Sequence, residues 1–302
     1  MKAAGLVVEY NPFHNGHLYH LAQSLKHTKA DLAIGVMSGN FLQRGEPAIV
    51  NKWARAKMAL LAGVDLIVEL PFVHAVQKAE YFSEAAVLLL EELQCEWVCF
   101  GSEQGTIEPF INTYTLLEKN AHFIDDYAKR FMAEGYSYPK AMALSYGELK
   151  KSHPDMLTLD QPNNILGFHY VSAVLKNHLS IKPTTIQRTG AGYHDPSLPK
   201  DAIASATAIR KELTANGRLV DVAQYMPDSS FRVLCEYEQE MKIWHTWDQY
   251  WPFVKLKLLT TPPSALKEIY EMKEGLENRL VSAAQTSTTF LEFMNKIKTK
   301  RL

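Results

Sequence analysis

The sequence predicts an α/β protein built on a parallel sheet, with a helical insertion and a helical C-terminal part. Three observations carry that expectation. Short apolar, β-branched runs alternate with stretches in which apolar residues recur every three or four positions through the first two thirds of the chain. Residues 107–151 keep a helical period throughout, and after Asp221 the alternation stops, leaving 228–302 mostly helical. Alternation of this kind reads as βαβ units, whose right-handed crossovers build a parallel sheet with ligands beyond the carboxyl ends of its strands.

Taken in order, the expected strands are 3–8, 32–37, 66–69, 97–100 and 184–187, and the clearest helices between them are 17–26, 52–62 and 83–93. The first strand runs into Glu9-Tyr10-Asn11-Pro12-Phe13-His14-Asn15-Gly16-His17. Pro12 disfavours helix at Asn11, and Gly16 lets the backbone come close to a ligand as helix resumes. Unpaired N–H groups at a helix start carry the positive end of its dipole, and two imidazoles three residues apart add side-chain donors. The turn therefore suits a phosphate. The alternative, a helix-start glycine between surface histidines, leaves the preceding strand and the Asn-Pro break without a purpose.

Later segments point to the same end of the sheet. Strand two finishes in the polar loop 38–47, which reads equally as a lid or a plain surface loop. Strand four ends at Gly101-Ser102-Glu103, where a residue without a side chain would let a base or ribose approach. In Gln161-Pro162-Asn163-Asn164-Ile165-Leu166-Gly167, one asparagine can cap the following helix and the other is left for a ligand. The last strand delivers Arg188, a plausible phosphate partner, into the glycine-containing loop 189–195. Ser205 is the expected cap of a helix ending near Gly217, with Thr207 and Arg210 one turn apart on one face. In the insertion, Phe110, Tyr114, Phe123, Tyr127, Phe131, Tyr136 and Tyr138 recur at helical spacing and are expected to be mostly core.

Composition bounds the rest. The 302 residues are 47% hydrophobic and 22% charged, ordinary for about two globular domains, and a net charge of −1 gives no global field for nucleic acid. Cys95, Cys99 and Cys235 are too few and too scattered for a disulfide framework or a four-ligand zinc site. Asp65 and Glu69 interrupt the one long apolar region, 58–73, and no leader is visible, so the expected location is cytoplasmic.

Val7 through Leu18 with its His-x-Gly-His, Ile67-Val68-Glu69-Leu70-Pro71-Phe72, Gly101-Ser102-Glu103, Pro162 to Gly167, Arg188 with Gly192-Tyr193-His194-Asp195, and Ser205 to Arg210 together resemble the tRNA(Met) cytidine acetate ligases of the HIGH-type nucleotidyltransferase superfamily. In the last of these motifs Ala206 stands where the superfamily has a second serine. The resemblance implies a Rossmann-like, HUP-type domain over 1–227 and a helical C-terminal domain over 228–302. It also implies a ligase that turns acetate and ATP into acetyl-adenylate and pyrophosphate, then acetylates N4 of the wobble cytidine of elongator tRNA(Met). Carried over residue by residue, it makes His14 and His17 catalytic. It assigns Val7, Glu9, Tyr10, Asn11, Phe13, Gly16, Gly101, Asn164, Arg188, Ser205, Thr207 and Arg210 to ATP, with Mg2+ arriving on the nucleotide and no metal site in the protein.

Members of that family run on past the equivalent of Leu302 into a further basic segment, so the chain is expected to be a shortened one. Lys296, Lys298, Lys300 and Arg301 then read as part of a tRNA-contacting surface, or as a solvated helix end. The residues alone leave two other readings open. One is an adenylyltransferase that joins AMP to a phosphorylated small molecule; the other is a nucleotide- or tRNA-binding protein without activity.

Overall fold

The computed structural model describes residues 1–188, 203–215 and 218–298. Its strands are β1 (Ala3–Val8), β2 (Leu32–Ser38), β3 (Leu66–Leu70), β4 (Trp97–Ser102) and β5 (Lys182–Gln187). The first helices are α1 (Asn15–Thr28), α2 (Lys52–Leu61), α3 (Phe72–Ala75) and α4 (Ala79–Glu92). The insertion comprises α5 (Glu108–Lys119), α6 (Ala121–Ala133) and α7 (Tyr138–Ser152), followed by α8 (Pro162–Lys176). After β5 come α9 (Ala206–Ala215), a 3₁₀ turn over Leu219–Tyr225, and α10 (Asp228–Met241). Helices α11 (Trp247–Thr260), α12 (Pro263–Lys267), α13 (Leu276–Thr286) and α14 (Phe290–Ile297) complete the described chain.

All five strands are parallel, in the order β3-β2-β1-β4-β5. The order reverses between β1 and β4, and a crevice opens where neighbouring strands send their crossovers to opposite faces. The β1 register pairs Ala4 with Ala33 on one side and with Trp97 on the other. Sequence and structure agree on every strand to within two residues. β5 begins earlier than its β-branched run because Lys182-Pro183 already pairs with β4, and an edge strand tolerates a proline that donates no ladder bond.

Alternation along β1 sends Ala4, Leu6 and Val8 to one face and Ala3 and Val7 to the other. The first face is covered by Leu21 of α1, Met58 of α2, Ile209 and Leu213 of α9, and Val233, Leu234 and Tyr237 of α10. The second is covered by Phe82, Val87 and Leu90 of α4, Phe110 of α5, and Tyr170, Val171 and Val174 of α8. A sheet buried on both faces needs near-continuous apolar strands, which β1, β2 and β4 supply, while the edge strands β3 and β5 are only partly buried.

The C-terminal helices close a core of their own around Trp251, Leu258, Leu266, Ala284 and Phe293. Helix α10 belongs with the sheet instead, so a boundary at 227/228 would cut it from the side chains it covers. The change of core falls between Trp244 and Trp251. The insertion also differs from expectation. Of its seven aromatics only Phe110 is buried; Phe123, Tyr127 and Phe131 form a half-buried ladder with centroids 4.4 and 6.2 Å apart, and Tyr138 is 61% exposed. The α6–α7 hairpin has one narrow face to hide, and Ile124, Leu149 and Met156 fill it with Leu116 and Leu117 of α5 packed against them.

Cys95 and Cys99 are buried and free, and burial pushes their thiols up to about 11 and about 12, consistent with small apolar residues. Among the described residues no helix is long and apolar enough to cross a membrane.

Helix α8 lies against β4 at Gly167, where a Cβ would stand 2.3 Å from Phe100 Cε2 and 3.0 Å from Phe110 Cε1. Gly167→Ala should therefore destabilise the protein by roughly 1–3 kcal/mol. Gly147→Ala, in the open on α7, should instead stabilise it by up to about 1 kcal/mol. Urea unfolding of the two variants beside the parent reads both signs.

Candidate active site

The site is built on the turn that leaves β1. Tyr10 adopts a left-handed φ of 46°, and the buried Asn11 accepts a hydrogen bond on Oδ1 from the Ile49 N–H at 2.8 Å. His14 then caps α1, and the cap is reciprocal. The Gly16 N–H donates to His14 Nδ1 at 3.0 Å, and the His14 N–H donates to His17 Nδ1 at 3.3 Å. The two rings lie 3.8 Å apart, with Tyr10 edge-on to both Phe13 and His17.

These bonds decide the tautomers. A ring nitrogen that accepts from an N–H carries no proton, so each neutral imidazole must carry its single proton on Nε2. Burial, reinforced by Arg188 and Arg210, lowers His14 to about 3. Burial, then His14, Arg188 and His20, holds His17 well below the ordinary histidine range. At neutral pH the pair therefore presents two uncharged Nε2–H donors.

Three further anchors shape the surroundings. Arg55, fully buried on α2, donates from Nη1 to the Glu9 carbonyl at 2.5 Å and from Nη2 to the carbonyls of Ser38 and Gly39, joining the carboxyl ends of β1 and β2. Glu9 accepts on Oε1 from the Gln43 N–H at 2.7 Å, which ties the loop after β2 to the site as a wall. Burial raises the Glu9 carboxyl, opposed by that N–H and by Arg55 and Arg210. From α9, Arg210 donates to the Asn11 carbonyl at 3.0 Å and to Thr207 Oγ1 at 3.3 Å, while Ser205 Oγ accepts from the Ala208 N–H at 3.1 Å as a cap should.

A cavity of ≈ 430 Å³ opens at the carboxyl ends of the strands, within the range of small-molecule sites. Val7, Glu9, Tyr10, Asn11, His14, Gly16, His17, Gly101, Arg188, Ser205, Thr207 and Arg210 all line it, although they are spread over some two hundred residues of sequence.

Several assignments change. Phe13 is buried in the first core, away from the cavity wall. Asn164 is also buried behind the wall; its Oδ1 accepts from the N–H groups of Glu103 and Gln104, and its Nδ2 donates to the Thr158 carbonyl. Its amide is thus spent on holding the β4 loop, and Asn163, bonded to Glu103, is the asparagine that lines the cavity. Neither caps α8, which begins after Gln161 with Pro162 in its first turn.

The glycines serve the protein's own side chains. A Cβ on Gly16 would meet His14 Cε1 at 2.8 Å, and one on Gly101 would meet Arg188 Cγ at 3.3 Å. Lys296 donates to Glu292 and to the Thr286 carbonyl, whereas Lys298 is exposed. Lys300, Arg301, the loop 189–195 and Gly217 lie outside the described residues.

Sequence reasoning missed Arg55 and His20. The signal for His20 was present, since it follows His17 by the same three residues that separate His17 from His14. It lines the cavity, and its Nε2 is buried with no partner among the described residues.

Comparison with known proteins shows the family. The model of the family described as HIGH Nucleotidyl Transferase matches residues 1–302. The tRNA(Met) cytidine acetate ligase of Bacillus licheniformis is 49% identical over 302 residues, covering 100% of this chain and 73% of its own length. That of Anoxybacillus flavithermus is 50% identical, with 100% and 74% covered. Among solved structures, Thermotoga maritima TmcAL bound with alpha-thio ATP superimposes with a TM-score of 0.89 at 34% identity, covering 100% of this chain and 72% of that one.

The neutral histidines set a pH dependence. Their folded values lie below the unfolded value of about 6.5, so the unfolded state binds more protons as pH falls, and stability is lost progressively from about pH 6.5 downward. Glu9, raised by burial, works in the opposite sense, its contribution present below the unfolded value and lost as pH rises through the folded one. Nitrogen-15 NMR of histidine-labelled protein should show His14 and His17 as neutral Nε2–H tautomers from pH 8 to pH 5. An imidazolium spectrum at pH 6 for either would contradict the capping geometry.

Proposed function

The chain belongs to the HIGH nucleotidyl transferase family, among the tRNA(Met) cytidine acetate ligases, and we propose on that footing how its cavity works. It activates acetate with ATP, releases pyrophosphate, and passes the acetyl group to N4 of the wobble cytidine of elongator tRNA(Met). The observation that carries this reading is the pair of neutral Nε2–H donors, His14 and His17, set beside Arg188, Arg210 and the start of α9 in one cavity at the strand-order reversal.

Acetate is ionised at neutral pH, so attack of its oxygen on the α-phosphorus needs no base. One P–O bond forms and the bond to the β-phosphate breaks, with charge building on the phosphate oxygens. His14 and His17 donate to the α-phosphate oxygens as that charge develops, without the repulsion that two imidazolium ions would suffer at 3.8 Å. Arg188, Arg210 and the capped start of α9 at Ser205 to Thr207 hold the leaving pyrophosphate. Arg210 also holds the Asn11 carbonyl, so one guanidinium would couple the turn to the leaving group. The adenosine then extends toward Gly101 and Asn163.

A magnesium ion would come with the triphosphate and be held chiefly by it. Helices α11 to α14, with Lys298 exposed and the basic residues Lys300 and Arg301 following, are the part assigned to tRNA. Lys296, already paired within α14, contributes less. The cytoplasm, where ATP and tRNA meet, is the compartment this reading requires.

Pyrophosphate release with ATP plus acetate, compared with ATP plus phosphate esters, tests the reaction directly; release only with the esters would replace this reading by a small-molecule adenylyltransferase. His14→Ala and His17→Ala should each lower acetate-dependent release by about a hundredfold, near 3 kcal/mol. His14→Ala should in addition cost about 1 kcal/mol of stability through the lost cap. Full activity in either variant would remove its catalytic role.

Arg188→Ala should weaken ATP binding more than AMP binding in calorimetric titration, and Arg188→Lys should remain impaired, because lysine does not reproduce a forked contact. Equal losses for ATP and AMP would move Arg188 away from the β- and γ-phosphates. Glutamine at Lys298, Lys300 and Arg301 should flatten the dependence of tRNA affinity on salt. An unchanged slope would put the RNA surface elsewhere.

A further inference from the structure

We infer that His20 contacts a ribose hydroxyl and makes this cavity selective for a ribonucleotide over its deoxy analogue, an inference that rests on the ATP reading above. It begins with direction along α1. His17 and His20 are neighbours three residues apart on α1, with His14 at its cap, and all three line the cavity. His20 stands ~4.5 Å farther along the axis than His17. Arg210, Ser205 and Thr207, which take the pyrophosphate end, gather at the turn and the start of α9. His20 stands one turn beyond His17 and beside Gly101, toward which the adenosine extends, so the ribose, joined to the α-phosphate through C5′, is the next group.

The surroundings fit a sugar. His20 faces the end of β4, where the Cβ that Gly101 lacks would stand 3.8 Å from His20 Cδ2. Its Nε2 is buried without a partner among the described residues, as are Tyr10 Oη and Asn11 Nδ2 of the same cavity-lining set. Buried polar atoms in folded proteins are nearly always hydrogen-bonded, so this one is explained if the bond is made to the ligand.

The chemistry of that ligand group follows from the charge. Burial and Arg188 lower His20 to about 4, opposed by a hydrogen bond to the Phe100 backbone, so the ring is neutral at pH 7. A neutral imidazole nitrogen is either a donor or an acceptor. A hydroxyl satisfies both, whereas a phosphate oxygen satisfies only a donor.

Calorimetric titration of the full chain with ATP, 2′-deoxy-ATP, 3′-deoxy-ATP and inorganic tripolyphosphate tests the inference. The parent protein should bind ATP about five- to tenfold more tightly than one of the two deoxy nucleotides, the size of one net hydrogen bond. His20→Ala should bring ATP down to the level of that analogue and leave tripolyphosphate unchanged. Equal binding of all three nucleotides by the parent would overturn the inference without any variant being made. So would retained discrimination in His20→Ala, or equal losses for ATP and tripolyphosphate, which would make His20 a phosphate ligand. Failure of the parent to bind ATP at all would overturn the nucleotide reading and this inference with it. Should His20→Ala melt early, His20→Asn keeps a polar side chain of shorter reach and is expected to lose the same discrimination.

Discussion

Arg55 holds the arrangement on which the site depends. Its guanidinium, with no exposed surface, gathers the carbonyls of Glu9, Ser38 and Gly39, so the carboxyl ends of two adjacent parallel strands are fixed by one side chain of α2. A parallel ladder leaves such carbonyls without partners where the strands stop. Burying a charge there is tolerable because those carbonyls and the nearby Glu9 carboxylate surround it. The turn from Glu9 to His14 starts from this fixed point. Its course sets where His14 caps α1, where Asn11 receives Ile49, and where Arg210 can reach across from α9.

The chemistry of the cavity follows from crowding like charges. Three imidazoles, Arg188 and Arg210 share one cavity, and burial together with Arg188 keeps all three rings neutral, with Arg210 adding to the effect on His14. The capping bonds then choose which nitrogen of His14 and His17 keeps the proton. The positive charge of the site resides in the arginines and helix starts, while the histidines act as fixed dipolar donors. Such donors need no reorganisation when charge develops on a bound phosphate. A histidine cap thus does two things at once: it starts a helix and sets a tautomer.

Much of this was legible in the residues. Strand positions followed from β-branched runs that had to be apolar on both faces, and the strand-to-helix turn at Asn11-Pro12 announced itself through local backbone chemistry. Ser205 read correctly as a cap because capping is settled within four residues. The misreadings share a cause. Gly16 and Gly101 were read as making room for a ligand, but the space beside each is filled by His14 and Arg188. Asn164 was read as facing the ligand, but Glu103 and Gln104, sixty residues earlier, claim its amide. The aromatics of the insertion were read as core, but the narrow face of the α6–α7 hairpin offers too little interior to hide them.

By itself, then, the sequence determined what short-range physics controls: the alternation of strands and helices, the anion-binding turn, the capped helix at Ser205, and through its motifs the family. Tertiary structure decided which polar groups were already spent. Whether Arg55 pins strand ends or meets solvent, whether His14 is charged, and whether His20 has a partner depend on neighbours remote in sequence and on exclusion of water. A period of two or of 3.6 carries no information about either.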